Sequence, residues 1–352
     1  MNKSPYGSLN KKKKSKKRTF LKIALLISLV AFLSVLGYGF YLENKANQAA
    51  DRAFEALNDR TKSQLRDEAV EPLKDNVSIL FIGVDESDKR KDDGNARSDA
   101  LLVATLNNDQ KTVNLLSIPR DANVYDPQRQ RFDKITHAHA FGGTEGTIDT
   151  VENLLEIPID YYVKMNFNAF IEVVDAVGGV TVDIPYDHVE LDENDKRTIE
   201  LKKGTHHLDG RHTLALARTR KLDSDVERGK RQQMILNEIV KESLSLNSFV
   251  KLGDVIDAVG NNMKTNMTYS EMKSFLEYAK GGIPKINMMN ISGDDNWTNR
   301  GYYWELDEVD LAEKKMELQQ HLELAPPTNE LTDDNQSNAY TSEESNDNEI
   351  NQ

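Results

Sequence analysis

Six basic residues fall within the nineteen positions of "ALARTRKLDSDVERGKRQQ", Ala215–Gln233, in a chain of 352 residues whose net charge is −13. Arg218, Arg220, Arg228 and Arg231 stand there beside Asp223 and Asp225. Read as a helix at about 100° per residue, Asp225, Arg228 and Gln232 lie within about 60° of one another, and Ile235, Leu236 and Ile239 continue that face. A face that is apolar further along therefore begins with an acid, an arginine and an amide. Charges turned inward cost several kcal/mol unless they are matched by a partner charge or an anionic ligand. Arg231, about 60° from Arg228, reaches the same ligand or its rim. These residues are predicted to line a site.

Three further groups of acid and arginine sit at the ends of predicted strands. Asp85 closes the apolar run "VSILFIGVD". Arg97 and Asp99, in "ARSDALL", are two apart before the next strand, and in an extended chain they share a face. Pro119 ends a strand in "SIPRDA" and leaves Arg120 and Asp121 at its exit. Ligand crevices of open sheets lie at the carboxyl ends of strands, although any one group alone reads more readily as a strand-end salt bridge.

The planar guanidinium donates two parallel hydrogen bonds to phosphate oxygens, so arginines in this number point to phosphate. Carboxylates such as Asp85 and Asp99 suit a hard divalent ion that bridges protein to phosphate. Together they resemble a phosphoryl-transfer site, in which cations offset developing charge. Other signals are weaker. In "HAHAFGG", His137 and His139 share one face if the segment is extended, but no third metal ligand is evident. Gly142 and Gly143 before Thr144 read as the start of a helix, which could cradle phosphate. The "DSD" of Asp223–Asp225 imitates the metal motif of nucleotide-sugar glycosyltransferases over three residues only.

The elements that must position these residues alternate between strand and helix. "ALLVATLNNDQKTVNLLSIPRD" is two apolar runs around a turn, a hairpin. Then follow the glycine-led helix "GGTEGTIDTVENLLEI", the strand "DYYVKMNF", the helix "NAFIEVVDAVGG" with its glycine stop, and the strand "VTVDIP". Val226–Leu246 reads as a long helix and "KINMMNIS" as a late strand. The expected fold class is α/β, a mixed central sheet flanked by helices.

Outside this region the chain is polar or uniformly apolar. The first 22 residues carry nine bases and no acid, and 325–352 carries seven acids and no base. Removing both from the net charge leaves −15 for Ile23–Leu324. An acidic body argues against wholesale nucleic-acid binding, which wants a basic surface. "IALLISLVAFLSVLGYGFY", Ile23–Tyr41, has nineteen residues and no charge, close to the roughly twenty that cross about 30 Å of hydrocarbon. A cleaved signal peptide has a shorter apolar core and a small-residue cleavage site, so a retained transmembrane anchor is predicted. The basic block Lys11–Arg18 keeps the N-terminus cytoplasmic, and no cysteine marks an oxidising compartment. The expected layout is a basic cytoplasmic tail (1–19), an anchor (20–42), a polar stalk or accessory helix (43–76) closed by Pro72, an exported domain (77–324) and a disordered acidic tail (325–352).

The blocks "ILFIGVD", "RSDALL", "LLSIPRD", "DKITHAHAFGG", "VVDAVGGVTVDIP", "LDGRHTLALARTRK" and "DVERGKRQQ" occur in the order typical of LytR-CpsA-Psr (LCP) proteins of Gram-positive bacteria, which the chain resembles over about 77–246. The resemblance implies an LCP-type α/β sandwich behind a single anchor, in a single-pass type II protein of the cell membrane. It implies a phosphotransferase that moves a glycopolymer of teichoic-acid or capsule type from a polyprenyl-pyrophosphate carrier to peptidoglycan, at the C6 hydroxyl of N-acetylmuramic acid. The lipid tail would lie in an apolar tunnel. Carried over by motif, Asp85 and Asp99 would hold Mg²⁺ (or Mn²⁺). Arg97, Arg120, Arg218, Arg220 and Arg228 would bind the pyrophosphate beside Gln232, and Asp225 and Asp121 would orient neighbouring arginines. No general base is assigned. The histidines of "HAHA" depart from the asparagine and tyrosine common in that block. Alternatives are a non-catalytic surface regulator, a lipid pyrophosphatase using the same site, and a glycosyltransferase relying on Asp223 and Asp225.

Overall fold

The computed structural model describes residues 16–58, 60–85, 96–193, 195–219, 225–243, 256–258, 260–261, 263–278 and 284–324, with backbone alone for 16–32, 35, 225 and 276–278. The basic tail up to residue 15, Arg220, the Asp223–Asp225 side chains, 244–246 and the acidic tail lie outside the described residues.

The two predicted apolar runs of the hairpin form β2 (Ser98–Asn107) and β3 (Thr112–Ile118), and β1 (Val77–Val84) lies antiparallel to β2. β6 (Tyr161–Asn166) adds parallel to β1, and β12 (Lys285–Asn290) parallel to β3. With β11 (Met263–Thr265) on the outer side of β6, the sheet has six strands in the order β11-β6-β1-β2-β3-β12. The mixed sheet flanked by helices is as expected. Its register brings the C-terminal ends of β1, β6 and β3 and the N-terminal end of β2 to the same end: Val84 stands beside Asn166, and Leu101 beside Ile118.

Because β1 to β3 are apolar on both faces, each face needs a cover. Leu80, Ile82, Val103 and Leu116 pack against Ile148, Val151 and Leu155 of α2 (Ile135–Leu155) and against Leu318 of α7 (Glu308–His321). The other face lies beneath α5 (Asp225–Ser243). A smaller core joins α5 to α3 (Phe167–Val177), α4 (Gly210–Arg218), β7 (Val180–Ile184), β9 (Arg197–Leu201) and β10 (Gly204–Leu208). Gly178, at φ 102°, ends α3 where the double glycine predicts a stop. β8 (His188–Leu191) pairs with β9, and two ribbons, β4 (Asn123–Asp126) with β5 (Arg131–Lys134) and β13 (Gly293–Thr298) with β14 (Gly301–Leu306), complete the strands. A further described helix is α6 (Tyr269–Tyr278).

Three local expectations change. α1 (Lys16–Ala53) includes the whole apolar run but stops at Ala53, so the helix read over 43–76 covers only its first part. Ala49, Ala50, Ala53 and Leu57 are buried, and the irregular chain that follows is tied to the body: Arg60 pairs with Glu152, and Arg66 grips both oxygens of Asp160 at 3.0 and 2.8 Å. Fixed acids on the body draw these arginines in, which a solvated stalk helix would not allow. Second, α2 begins at Ile135, ahead of the glycines, and Gly143 (φ 60°, ψ −149°) is a kink inside it. Third, His137 and His139 are therefore helical, two residues and roughly 200° apart. His137 Nδ1 meets Asp133 at 3.0 Å, while His139 donates from Nδ1 to the Ala96 carbonyl at 2.8 Å. They share no face, and the paired-histidine metal reading falls. Among the described residues no helix is long and apolar enough to cross a membrane; the side chains of 23–32, half of the apolar run, are not among them.

Candidate active site

A β-bulge aims the first carboxylate. Gly83 pairs with Ala100 but Val84 pairs with Ser98, so Asp99 is an extra residue in β2. In unbroken alternation Asp99 would share the packed face with Leu101 and Val103. The bulge turns it instead to the face of Ala100, Leu102 and Ala104. Asp85, 2% exposed, follows β1 immediately and bonds through its N–H to the Arg97 carbonyl at 3.2 Å. Both aspartates line one cavity beneath α5.

Arg120 leaves the C-terminal end of β3 and reaches the same cavity, donating from Nη1 to Asp99 at 2.5 Å. Asp121 lies 3.4 Å from Arg120 Nε and takes a closer bond, 2.8 Å, from Lys134. Asp121 thus buttresses Arg120 from outside the cavity and shares its charge with Lys134.

α5 supplies the opposite wall because small and amide residues lock it to the sheet. A Cβ on Gly229 would stand 2.3 Å from Ser117 Oγ, so only glycine lets the helix come this close to β3. Gln233, fully buried, donates to the carbonyls of Leu115 and Met289 at 2.8 and 2.6 Å. With 229 and 233 against the sheet, Arg228, Gln232, Ile235, Leu236 and Ile239 face the cavity, the helical face read from the spacing. Arg231 is turned to the end of α4, where it donates to the Thr219 carbonyl.

Arg218, the last residue of α4, completes the cationic set. It donates to the Asp192 carbonyl and to Asp195, each at 3.0 Å, and its guanidinium lies 4.4 Å from the ring centroid of Phe167. Phe167 follows Asn166, the residue beside Val84, so Arg218 belongs to the same end of the cavity as Asp85.

Of the predicted residues, the structure thus gathers Asp85, Asp99, Arg120, Arg218, Arg228 and Gln232 around one cavity and sets Asp121 behind Arg120. Arg97 precedes β2, is exposed, and does not line the cavity. Arg220 and the Asp225 side chain lie outside the described residues. Sequence reasoning missed Glu190 and Asp195, which also line the cavity, and Lys134. No local signal in "HVEL" marks Glu190, because the facing of the ribbon is set by the fold.

Behind this polar end the cavity is apolar. Its volume is about 880 Å³, near the upper end of the range of roughly 300–1,000 Å³ for small-molecule sites. It follows the sheet from Ala100 to Leu106, about 20 Å at the rise of a strand. Phe81, Leu102 and Leu115 line its floor, Ile235 and Ile239 its roof, and Met272 and Phe275 its far end. A head of three guanidinium groups and several carboxylates on a long apolar channel suits a molecule with an anionic head and a hydrocarbon chain. Asp85 and Asp99 fit a hard divalent cation: a site with two protein carboxylates takes its other oxygen ligands from phosphate and water. Among the described residues no three of His, Asp and Glu gather as a metal set.

The chain is similar to known proteins. The chain is 38% identical over 320 residues to the polyisoprenyl-teichoic acid–peptidoglycan teichoic acid transferase TagT of Bacillus subtilis, spanning 90% of this chain and 98% of that protein. Among solved structures it is similar to TagT bound to LIIa-WTA, with a TM-score of 0.66 and 38% identity over 76% of this chain and 99% of that one. It is likewise similar to YwtF (TagT) with bound octaprenyl pyrophosphate lipid, with a TM-score of 0.62 and 35% identity over the same shares of the two chains. The LytR_cpsA_psr family matches residues 40–320, and the chain belongs to the LytR-CpsA-Psr family.

Proposed function

We propose that this protein transfers a teichoic-acid-type glycopolymer from a polyprenyl-pyrophosphate carrier to peptidoglycan. The observation that carries the reading is the single cavity in which an apolar channel ends at Arg120, Arg218 and Arg228. The channel takes the polyprenyl chain, and the arginines take the pyrophosphate through paired charged hydrogen bonds. The acceptor is the C6 hydroxyl of N-acetylmuramic acid. Its oxygen bonds to the phosphorus bearing the glycan, the bond from that phosphorus to the bridging oxygen breaks, and polyprenyl phosphate leaves while the hydroxyl proton is released. A phosphodiester joins polymer to wall. Arg120, Arg218 and Arg228 offset the charge on the phosphate oxygens, and Asp121 with Lys134 holds Arg120 in place. Mg²⁺, when bound by Asp85 and Asp99, supplies further positive charge to those oxygens.

The apolar run of α1 anchors the protein, with the N-terminus cytoplasmic and the catalytic domain outside, a single-pass type II topology. An apolar channel does not suit a nucleotide sugar, which weighs against the glycosyltransferase alternative. Incubation of the purified protein with a polyprenyl-pyrophosphate glycan, Mg²⁺ and peptidoglycan oligomers tests the reading by mass spectrometry. The expected product is a glycan joined to muramic acid by a phosphodiester, lost in Asp99→Ala while the domain stays folded. Release of glycosyl phosphate with no linked product would replace transfer by hydrolysis. Full turnover by Asp99→Ala would remove the metal assignment.

A further inference from the structure

β8 is built inside out. Val189 is 39% exposed while its neighbour Glu190 is 7% exposed and lines the cavity. An edge ribbon buries its apolar residues by default, so a valine turned to water and a glutamate turned inward reverse the usual order. Among the described residues nothing compensates fully. Glu190 Oε1 accepts only a 3.3 Å bond from the Leu191 N–H, and Oε2, itself buried, meets no hydrogen-bond donor. The nearby cation does not take it: Arg218 directs its bonds to Asp195 and the Asp192 carbonyl. A buried carboxylate oxygen without a donor is costly, which points to a donor brought by the ligand.

The ligand's chemistry narrows which part of it that is. This step rests on the reading of the cavity as a site for a glycosylated polyprenyl pyrophosphate. A polyprenyl chain has no hydrogen-bond donor. A pyrophosphate near neutral pH offers acceptor oxygens and negative charge, both of which a carboxylate repels. The donors of such a molecule are its sugar hydroxyls and amide N–H groups. Glu190 shares the cavity with Arg218, which lies over Phe167 at the polar end, so it is placed near the head rather than along the chain. We propose that Glu190 binds the sugar next to the pyrophosphate, accepting a hydrogen bond from a hydroxyl or amide N–H, and so lets the site distinguish a loaded carrier from a bare one.

The test compares two ligands on the full-length protein in detergent: polyprenyl pyrophosphate without sugar, and the same lipid bearing one N-acetylhexosamine. Glu190→Ala is expected to lower affinity for the sugar-bearing lipid about 10- to 100-fold, the worth of a hydrogen bond to a charged group. Affinity for the bare lipid should not fall, since the carboxylate lost makes no favourable contact with the pyrophosphate. Glu190→Gln, which keeps an acceptor oxygen but not the charge, should fall between. Equal weakening toward both lipids, relieved by added Mg²⁺, would overturn the assignment in favour of a cation ligand. Equal weakening without relief would make Glu190 structural, and no change toward either lipid would likewise end the proposal. Failure of the unmodified protein to bind either lipid would instead remove the reading of the cavity itself, and this inference with it.

Discussion

The two faces of the central sheet are both apolar, yet one is solid and the other hollow. Leu80, Ile82, Val84, Leu101, Val103, Leu116 and Ile118 point to the solid face, all of them large or branched, and α2 and α7 fill the space above them. The hollow face alternates large residues such as Phe81 and Leu102 with Gly83, Ala100 and Ala104. Small residues in the floor make room that the roof does not reclaim, because α5 is pinned to β3 and β12 by Gln233 rather than lying along the cavity floor. A hydrocarbon chain can then complete the burial that side chains complete on the other side. Packing against protein and packing against ligand are two uses of one sheet.

That contrast can be broken from either side. The largest effect is expected on the solid face, where Leu80→Ala should cost about 2–5 kcal/mol of stability, the transfer term plus a cavity. Chemical denaturation measures it, and lipid affinity of the fraction that remains folded should be unchanged. A loss under 1 kcal/mol would mean that α2 and α7 can settle into the gap, and that the face is less tightly packed than it looks.

On the hollow face the expected result is inverted. Ala104→Leu grows into open space, so stability should move by less than about 1.5 kcal/mol, while uptake of polyprenyl pyrophosphate is sharply reduced by the blocked channel. Calorimetry and a lipid-binding titration on the same sample separate the two. Large destabilisation with lipid binding intact would show that the cavity is not the lipid's path.

The smallest effect concerns pH and belongs to the solid side. His321 of α7 is buried, with Nδ1 2.8 Å from the Thr105 hydroxyl and Nε2 2.8 Å from that of Thr112. Burial lowers its pKa below the ordinary value, with the charge of Glu323 opposing in part. Above pH about 6.5 the ring is neutral both folded and unfolded. As pH falls below that value the unfolded chain takes the proton first, so stability is lost progressively until the folded pKa is passed. Melting temperature from pH 7.5 to 5.5 should therefore fall more steeply for the unmodified protein than for His321→Asn. Equal slopes would remove His321 as the titrating group.

Much of this was legible beforehand because it is local. Apolar runs and turn residues marked β1 to β3, β6, β7 and β12, and the double glycine marked the end of α3. The face of α5 from Arg228 through Ile239 followed from helical spacing alone. Failures came where a long-range contact overrode a local cue. Gly142 and Gly143 look like a helix start, but the chain before them is already helical. Alternation would put Asp99 on the packed face with Leu101, but a bulge in the pairing of β1 with β2 turns it to the cavity. Glu190 was passed over because no spacing rule says which way a short edge ribbon faces.

What the sequence by itself determined was the identity and order of the elements, the apolar run of α1, and the anion-binding character of the arginine-rich helix. These depend on residues within a few turns of one another. Only the tertiary structure decided that Asp85, Asp99, Arg120, Arg218 and Arg228 meet at one end of one cavity, and that one face of the sheet is filled and the other hollow. Register, bulges and the height at which a helix crosses a sheet are set by contacts between segments distant in the chain. Hydrophobic pattern states that a side chain leaves water, and it is silent on whether protein or ligand receives it.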